Sequence, residues 1–344
     1  MSTIVYPPTI NWDLLYQRPQ AILTELAKQG HECFFYDSNP PYEGANHCYE
    51  PYSPVKNVTV VPPTYPVSEI GDFTLYYSLV NHYHWIKDYE PNFVIYDNLD
   101  YPVSGQPWDL YIKSLKEADL ILNVSDMLLK IAERESPRKA IYVPNGTDWE
   151  FYNNPKNYSC FNAPELLIDA HDEGKTVIGF SGVFWEHVTD WPLFLRLAKH
   201  FKDDLLVCTG SFFNDYGQLP DNMVFLGHVD RKILPAVMGG FDIGVIPFKE
   251  NDFTKAMCPL KAFDYLASGL PVVSTPIPEV AKLPEPYTFS PEDFVMGVES
   301  VRVIENVKDV DNYFNGINST QKKRMEAMKY DWSVVLKDFV EMVQ

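Results

Sequence analysis

Thr254-Lys-Ala-Met-Cys-Pro-Leu-Lys-Ala-Phe-Asp-Tyr-Leu-Ala-Ser-Gly-Leu-Pro-Val-Val-Ser-Thr275 reads as a loop, a short helix and a buried strand. Pro259 suits the first helical position, where its missing N–H costs nothing and its fixed φ is already helical. Leu260, Phe263 and the Leu266–Ala267 pair recur at helical spacing and give an apolar face. Gly269 can take the left-handed conformation that closes a helix, and Pro271 prevents its continuation. Pro271 to Thr275 shows no polar alternation, the pattern of a core strand in a parallel sheet. A helix start presents N–H groups and a partial positive charge, which together attract an anion. Lys255 and Lys261 flank that start, and Met257, Cys258, Pro259 and Leu260 carry the backbone around it. Asp264, further along, can accept hydrogen bonds from hydroxyls. These are the parts needed to hold a phosphate beside a polyol such as ribose; an ordinary βαβ crossover with normal capping is the other reading of the same residues.

The chain has 344 residues, enough for two domains of ordinary size. Its 46% hydrophobic content supports packed cores and excludes a disordered chain. A net charge of −19 argues against nucleic acid as a partner and against broad docking on an anionic membrane, leaving at most peripheral membrane contact. The cysteines (Cys33, Cys48, Cys160, Cys208 and Cys258) are scattered, with no Cys-x-x-Cys, which fits reduced thiols in a cytoplasmic protein. The opening residues have no basic region followed by an apolar run, so no signal peptide is expected. No stretch approaches the roughly 18 apolar residues of a membrane span.

Outward from the opening stretch, strands and helices alternate. Thr3–Tyr6, Glu32–Tyr36, Phe93–Asp97, Leu120–Val124 and Ala140–Pro144 read as strands. Helices are expected from about Arg18 to Gln29 and, capped by Ser125, to about Glu135. Asn153 to Lys175 has Pro155, Pro164 and Gly174 and no clean period. A second alternation follows: strands Val177–Ser181, Leu205–Thr209, Val224–Leu226 and Asp242–Pro247, and a helix from Trp191 to Phe201. Two Rossmann-like, doubly wound parallel sheets are predicted. The boundaries expected are 1–155 for the first domain, 156–174 for a linker, and 175–328 for the second. A final amphipathic helix over 329–344 is expected to pack back on the first domain.

The pattern Pro-x-Lys-x-aromatic-acid-Tyr-Leu-Ala-x-Gly-x-Pro-Val-Val, met here by Pro259, Lys261, Phe263, Asp264, Tyr265, Leu266, Ala267, Gly269, Pro271, Val272 and Val273, resembles the donor-site motif of GT-B glycosyltransferases. The likeness is to the large retaining family 4 and its bacterial surface-polysaccharide or teichuronic-acid-type subgroup. Trp12 with Gln17-Arg18-Pro19-Gln20, Ala118-Asp119-Leu120 with Ser125, Val143-Pro144-Asn145-Gly146 with Asp148, Phe225-Leu-Gly-His-Val229 and Phe241 to Phe248 extend it over nearly the whole chain. The resemblance implies a GT-B fold with two domains facing a cleft. It implies transfer of a sugar, with retention and without metal, from a nucleotide diphosphate sugar, a UDP-sugar being expected. The acceptor would be a hydroxyl on a glycan or lipid-linked glycan. No cofactor beyond this co-substrate is implied.

By the same resemblance, Gly227, His228 and Val229 would lie along the nucleobase. Gly182 and Gly210 would let the nucleotide approach the strand ends. Lys255, Lys261 and the backbone of Met257–Leu260 would hold the diphosphate, and Asp264 the ribose. Members usually carry an acid where this chain has Ala256, and many carry Arg and Lys where it has Gly182 to Glu186. The donor-sugar contact and part of the phosphate clamp must then come from elsewhere. In the first domain, Asp97 and Asp100 follow a strand and are candidates to orient or deprotonate the acceptor hydroxyl. Loop hydrogen bonding is the other reading. Arg18, at a helix start, is a candidate for a donor or acceptor phosphate, or for a surface salt bridge. His82 and His84 lack further ligands for a metal, so no metal site is expected. Two other classes stay open from sequence: a sugar-nucleotide epimerase on this fold, and a non-catalytic sugar-nucleotide-binding protein.

Overall fold

The computed structural model describes residues 1–14, 16–38, 50–102, 107–158, 164–211, 217–315 and 319–343. The chain forms two compact units, Met1–Asn145 with Trp332–Gln344, and Gly146–Asp331.

The first unit runs β1 (Thr3–Tyr6), α1 (Arg18–Lys28), β2 (Glu32–Tyr36), β3 (Tyr52–Val55), β4 (Val58–Val61), β5 (Thr74–Tyr77), α2 (His84–Tyr89), β6 (Phe93–Asn98), α3 (Trp108–Glu117), β7 (Leu120–Asn123), α4 (Asp126–Glu135) and β8 (Lys139–Tyr142). Its sheet has the order β3-β4-β2-β1-β5-β6-β7-β8. Neighbours pair in parallel except β3, which runs antiparallel to β4 at the edge. In α1, Ala21, Ile22, Leu23, Leu26 and Ala27 are buried, and Gln17 and Gln20 form a reciprocal cap. Ser125 caps α4 by accepting from the Leu128 N–H at 3.3 Å. The fully buried β5 lies between β1 and β6, so the strand order reverses beside β1.

The second unit runs α5 (Trp149–Asn153), α6 (Glu165–Asp172), β9 (Val177–Ser181), α7 (Trp191–His200), β10 (Leu205–Thr209), β11 (Met223–Gly227), α8 (Leu234–Gly239), β12 (Ile243–Ile246), α9 (Asp252–Ala256), α10 (Leu260–Ser268), β13 (Val272–Ser274), β14 (Tyr287–Thr288), α11 (Phe294–Asn315) and α12 (Ser319–Ala327). Its sheet is wholly parallel, in the order β11-β10-β9-β12-β13-β14. β12 and β13 are fully buried, β9 and β10 nearly so, and α6, α10 and α11 pack on the sheet, as parallel pairing requires. The order reverses between β9 and β12, and ligands of such sheets bind beyond the carboxyl ends of the strands at that reversal.

The unit boundaries differ from those expected. Residues 146–155 belong to the second unit rather than the first. Within the 156–174 stretch read as a linker, α6 buries Leu167 and Ala170, one turn apart, and packs on β9. Met328–Tyr330 forms a tight turn inside the second unit, and the return to the first begins at Trp332. In place of one final helix there are two, α13 (Trp332–Val335) and α14 (Lys337–Val343), which bury Trp332, Phe339 and Val340.

Candidate functional site

The site is built on α10. Asn251 starts α9 just before it, its side chain accepting from the Thr254 N–H at 2.9 Å while the Thr254 hydroxyl accepts from the Asn251 N–H at 3.1 Å. Pro259, expected as the first helical residue, instead stands just outside α10 with extended ψ of 120°. It cannot donate, and no side chain caps this end of the helix. At the far end Gly269, with φ of +85°, closes the helix, its N–H and that of Leu270 returning to Leu266 and Tyr265. Lys261 and Asp264 lie three residues apart, on the same side of the helix.

Lys261 reaches the exit of β9. Its Nζ lies 3.8 Å from the centre of the Phe180 ring and 4.8 Å from that of Phe248. Gly182 and Gly210 leave the room. Gly182 has φ of +138°, and a Cβ there would lie 2.5 Å from Lys261 Nζ; at Gly210, with φ of +125°, it would lie 2.0 Å from the Gly182 carbonyl oxygen. The Gly182 N–H donates to Thr209 at 2.8 Å and the Gly210 N–H to Gly227 at 2.7 Å. The carboxyl ends of β9, β10 and β11 are thus stitched by backbone, with a glycine at or just past each end. Among the described residues no carboxylate or hydroxyl reaches Lys261. Burial pushes its pKa down to about 7, against a smaller opposing effect of Cys208. A desolvated amine held on two aromatic faces, beside a helix start and at the strand-order reversal, is a seat for an anion. It also places a cation at Gly182, in the very loop that lacks Arg and Lys.

Asp264 is engaged. The Thr147 hydroxyl, itself buried, donates to Asp264 Oδ1 at 2.7 Å. Burial pushes the Asp264 pKa up to about 7, opposed by the Thr147 hydrogen bond, by the Arg231 charge and by Tyr152. Arg231 donates to Asp148 Oδ2 at 2.6 Å, its guanidinium 4.3 Å from the centre of the Phe151 ring. Sequence reading missed Thr147, Tyr152 and Arg231 as parts of this site; only the Asn145-Gly146-x-Asp148 motif hinted at their segment. Of the other candidates, Lys255 on α9 and His228 after β11 are exposed, Met257 and Val229 half-buried, and Cys258 buried.

In the first unit two candidates are otherwise occupied. Arg18 and Asp97, 2% and 0% exposed, form an ion pair at 2.8 Å. Tyr76 donates to Asp97 Oδ2 at 2.7 Å, and Arg18 Nη1 donates to the Pro144 carbonyl at 2.9 Å and to Asn145 Oδ1 at 3.3 Å. Asp97 is therefore the counterion of Arg18 inside the core, not a base facing substrate, and Arg18 is not available to a phosphate. Neither ion can be read as buried from sequence, because the partners lie 79 residues apart. Asp100 lies beyond β6 with its residue exposed; the chain around its carboxyl, and then the charge of Asp97, push its pKa up to about 6. His84 Nδ1 lies 2.7 Å from the Asn81 carbonyl, and burial pushes His82 down to about 4. Among the described residues Cys33, Cys208 and Cys258 are buried cysteines; Cys48 and Cys160 lie outside them.

The fold is that of GT-B enzymes: two parallel-sheet α/β units, aligned end to end with solved structures at low identity. Sucrose-phosphate synthase from Thermosynechococcus elongatus is 12% identical with a TM-score of 0.71, over 100% of this chain and 98% of that one. The Anabaena protein HepE, solved in complex with UDP, is 11% identical with a TM-score of 0.66, over 100% and 99%. Residues 175–295, which carry the β9 exit, Lys261 and Asp264, match the family of glycosyl transferases group 1. The Bacillus subtilis (strain 168) protein TuaH, named for glycosyl transfer in teichuronic acid biosynthesis, is 28% identical over 240 residues, covering 67% of this chain. The chain spans 58% of the length of that relative. No helix among the described residues is long and apolar enough to cross a membrane.

Proposed function

We propose that this protein is a glycosyltransferase that moves a sugar, with retention and without a metal, from a nucleotide diphosphate sugar to a hydroxyl of a glycan or lipid-linked glycan in the cytoplasm. The observation that carries the reading is Lys261, an amine with no anionic partner among the described residues, held at the glycine exit of β9 beside the uncapped start of α10. In this reading the diphosphate sits against Lys261 and the α10 N–H groups, and bound phosphate restores the charge that burial suppresses. Cationic Lys261 then stabilises the charge that develops on the leaving group. The base lies along Gly227, His228 and Val229. The ribose hydroxyls take Asp264, displacing the Thr147 hydroxyl. A UDP-sugar is the donor of choice, supported by the UDP complex of the like-folded HepE. Asp100 orients or deprotonates the acceptor hydroxyl.

A thermal-shift series with UDP, GDP, ADP, CMP and TDP, with and without EDTA, tests this. One nucleotide is expected to raise the melting point, and at about 100 times its Kd to stabilise by about 2.7 kcal/mol. The rise should survive EDTA and shrink in Asp264→Ala, which loses about 1–3 kcal/mol of binding. No shift with any of the five removes the donor site. Thr147→Val should act in the opposite direction: it costs the free protein about 1 kcal/mol of stability and tightens UDP binding, because Asp264 no longer has a competing donor. Equal calorimetric affinity in this variant and the parent would show that ribose and Thr147 do not share the carboxylate. With donor saturating, kcat should rise as pH passes about 6, where Asp100 loses its proton, and Asp100→Asn should flatten that limb.

A further inference from the structure

Trp108 opens α3 with 45% of its surface exposed. Its ring meets Tyr101 edge-on at 5.9 Å between centroids and tilts against Tyr111 at 5.4 Å. Tyr111 is fully buried and accepts a hydrogen bond from Asn98 at 3.3 Å, so the indole rests on fixed core. Two carboxylates are neighbours in the chain. Asp100 precedes Tyr101, and Asp109, 70% exposed and 3.7 Å from Lys113, follows Trp108. The whole group lies beyond the carboxyl end of β6. Neither the donor site nor the Arg18–Asp97 pair uses it.

We propose that Trp108, with Tyr101 against it, is a stacking platform for a neutral pyranose ring of the acceptor. The proposal rests on the glycosyl-transfer reading above and names the chemistry of its acceptor. A pyranose presents an apolar C–H face and a rim of hydroxyl donors. The exposed indole meets the first, and Asp100 and Asp109, each next in the chain to one of the two rings, are the acceptors nearest in sequence for the second. A rigid aromatic seated on the core stacks a sugar at little cost in side-chain freedom. An exposed tryptophan also suits a lipid interface, but two flanking carboxylates and a net charge of −19 oppose an anionic bilayer.

Saturation-transfer NMR with the methyl pyranosides of glucose, galactose and N-acetylglucosamine tests the platform in the full chain. At least one glycoside is expected to bind the parent, to bind Trp108→Ala about fivefold more weakly or worse, and to recover most of its affinity in Trp108→Phe. The UDP thermal shift should be the same in all three proteins. Absence of glycoside binding, or equal binding by parent and Trp108→Ala, overturns the proposal. So does a Trp108→Ala variant that keeps glycoside binding but loses attachment to phosphatidylglycerol vesicles, which assigns the indole to a membrane. A parent with no UDP shift sinks the donor reading instead, so the two failures are told apart.

Discussion

Lys261→Met is expected to weaken UDP binding roughly 10- to 150-fold while raising the stability of the free protein. Methionine keeps an unbranched stem between Phe180 and Phe248 and removes only the charge. The binding loss is that of a charge-assisted contact to phosphate, about 1.5–3 kcal/mol, or roughly 10- to 150-fold in Kd. Turnover should fall further, roughly 100- to 1000-fold, because the cation matters most when the diphosphate departs. The stability gain follows from removing a desolvated amine that the faces of Phe180 and Phe248 offset only in part and that no anion among the described residues pairs. A plain packing lysine would show the reverse: lower stability and unchanged nucleotide affinity.

The pH dependence of the same residue has a definite sign. Its pKa is about 7 in the folded protein against 10.5 for the unperturbed amine. Between those values the unfolded chain holds more protons than the folded one, so this group's contribution to stability rises as pH goes from about 7 to 10.5. Below pH 7 both states carry the charge and the folded state bears the full cost of burying it. A bound diphosphate returns the proton, so UDP binding at pH 8 should take up close to one proton. Calorimetry in buffers of different ionisation enthalpy measures this, and the uptake should vanish in Lys261→Met. Asp264 runs the other way: its raised pKa gives stability that is present below 3.8 and lost as pH climbs through about 7.

What the sequence revealed and what it hid follow from the range of the interactions. The helix of the opening stretch, its glycine stop and the strand after it are set by neighbours a few residues apart, and they were legible. So was the Ser125 cap. β5 was not: Thr74-Leu-Tyr-Tyr77 is four residues with no polar alternation, and only pairing with β1 and β6 defines it. α6 hid in a stretch whose prolines and glycine suggested a linker; Leu167 finds its partner only in the folded unit, where its side chain closes over Gly240. The motif showed that Lys261 and Asp264 belong together, but not that Lys261 ends at Gly182 or that Asp264 is held by Thr147, 117 residues earlier. In the first unit the same limit reversed the reading of Arg18 and Asp97. Each alone resembles a functional charge, and only their pairing shows that each neutralises the other.

Breaking that pair should give the largest loss of stability of any single change discussed. Arg18→Met leaves the Asp97 carboxylate buried with Tyr76 as its remaining donor, and it strips the Pro144 carbonyl and Asn145 Oδ1 of the Arg18 Nη1 contact. Asp97→Asn removes the carboxylate that pairs with the Arg18 guanidinium at 2.8 Å. Either should destabilise the first unit by about 3–5 kcal/mol, the cost of a buried charge deprived of its partner. The double variant Arg18→Met with Asp97→Leu removes both charges and should recover part of the loss. It should not recover all, because Tyr76 loses its acceptor in the core, at about 1–3 kcal/mol for a buried group left unsatisfied, and Pro144 and Asn145 each lose one hydrogen bond. Urea unfolding followed by a probe in the first unit should show a lower midpoint at unchanged slope for the single variants. The UDP shift, which reports on the second unit, should persist wherever the protein stays folded. An Asp97→Asn protein as stable as the parent yet inactive would overturn this assignment and return Asp97 to the chemistry; a destabilised protein whose kcat per folded molecule is preserved would leave Asp100 as the acidic residue beyond β6 to test for transfer.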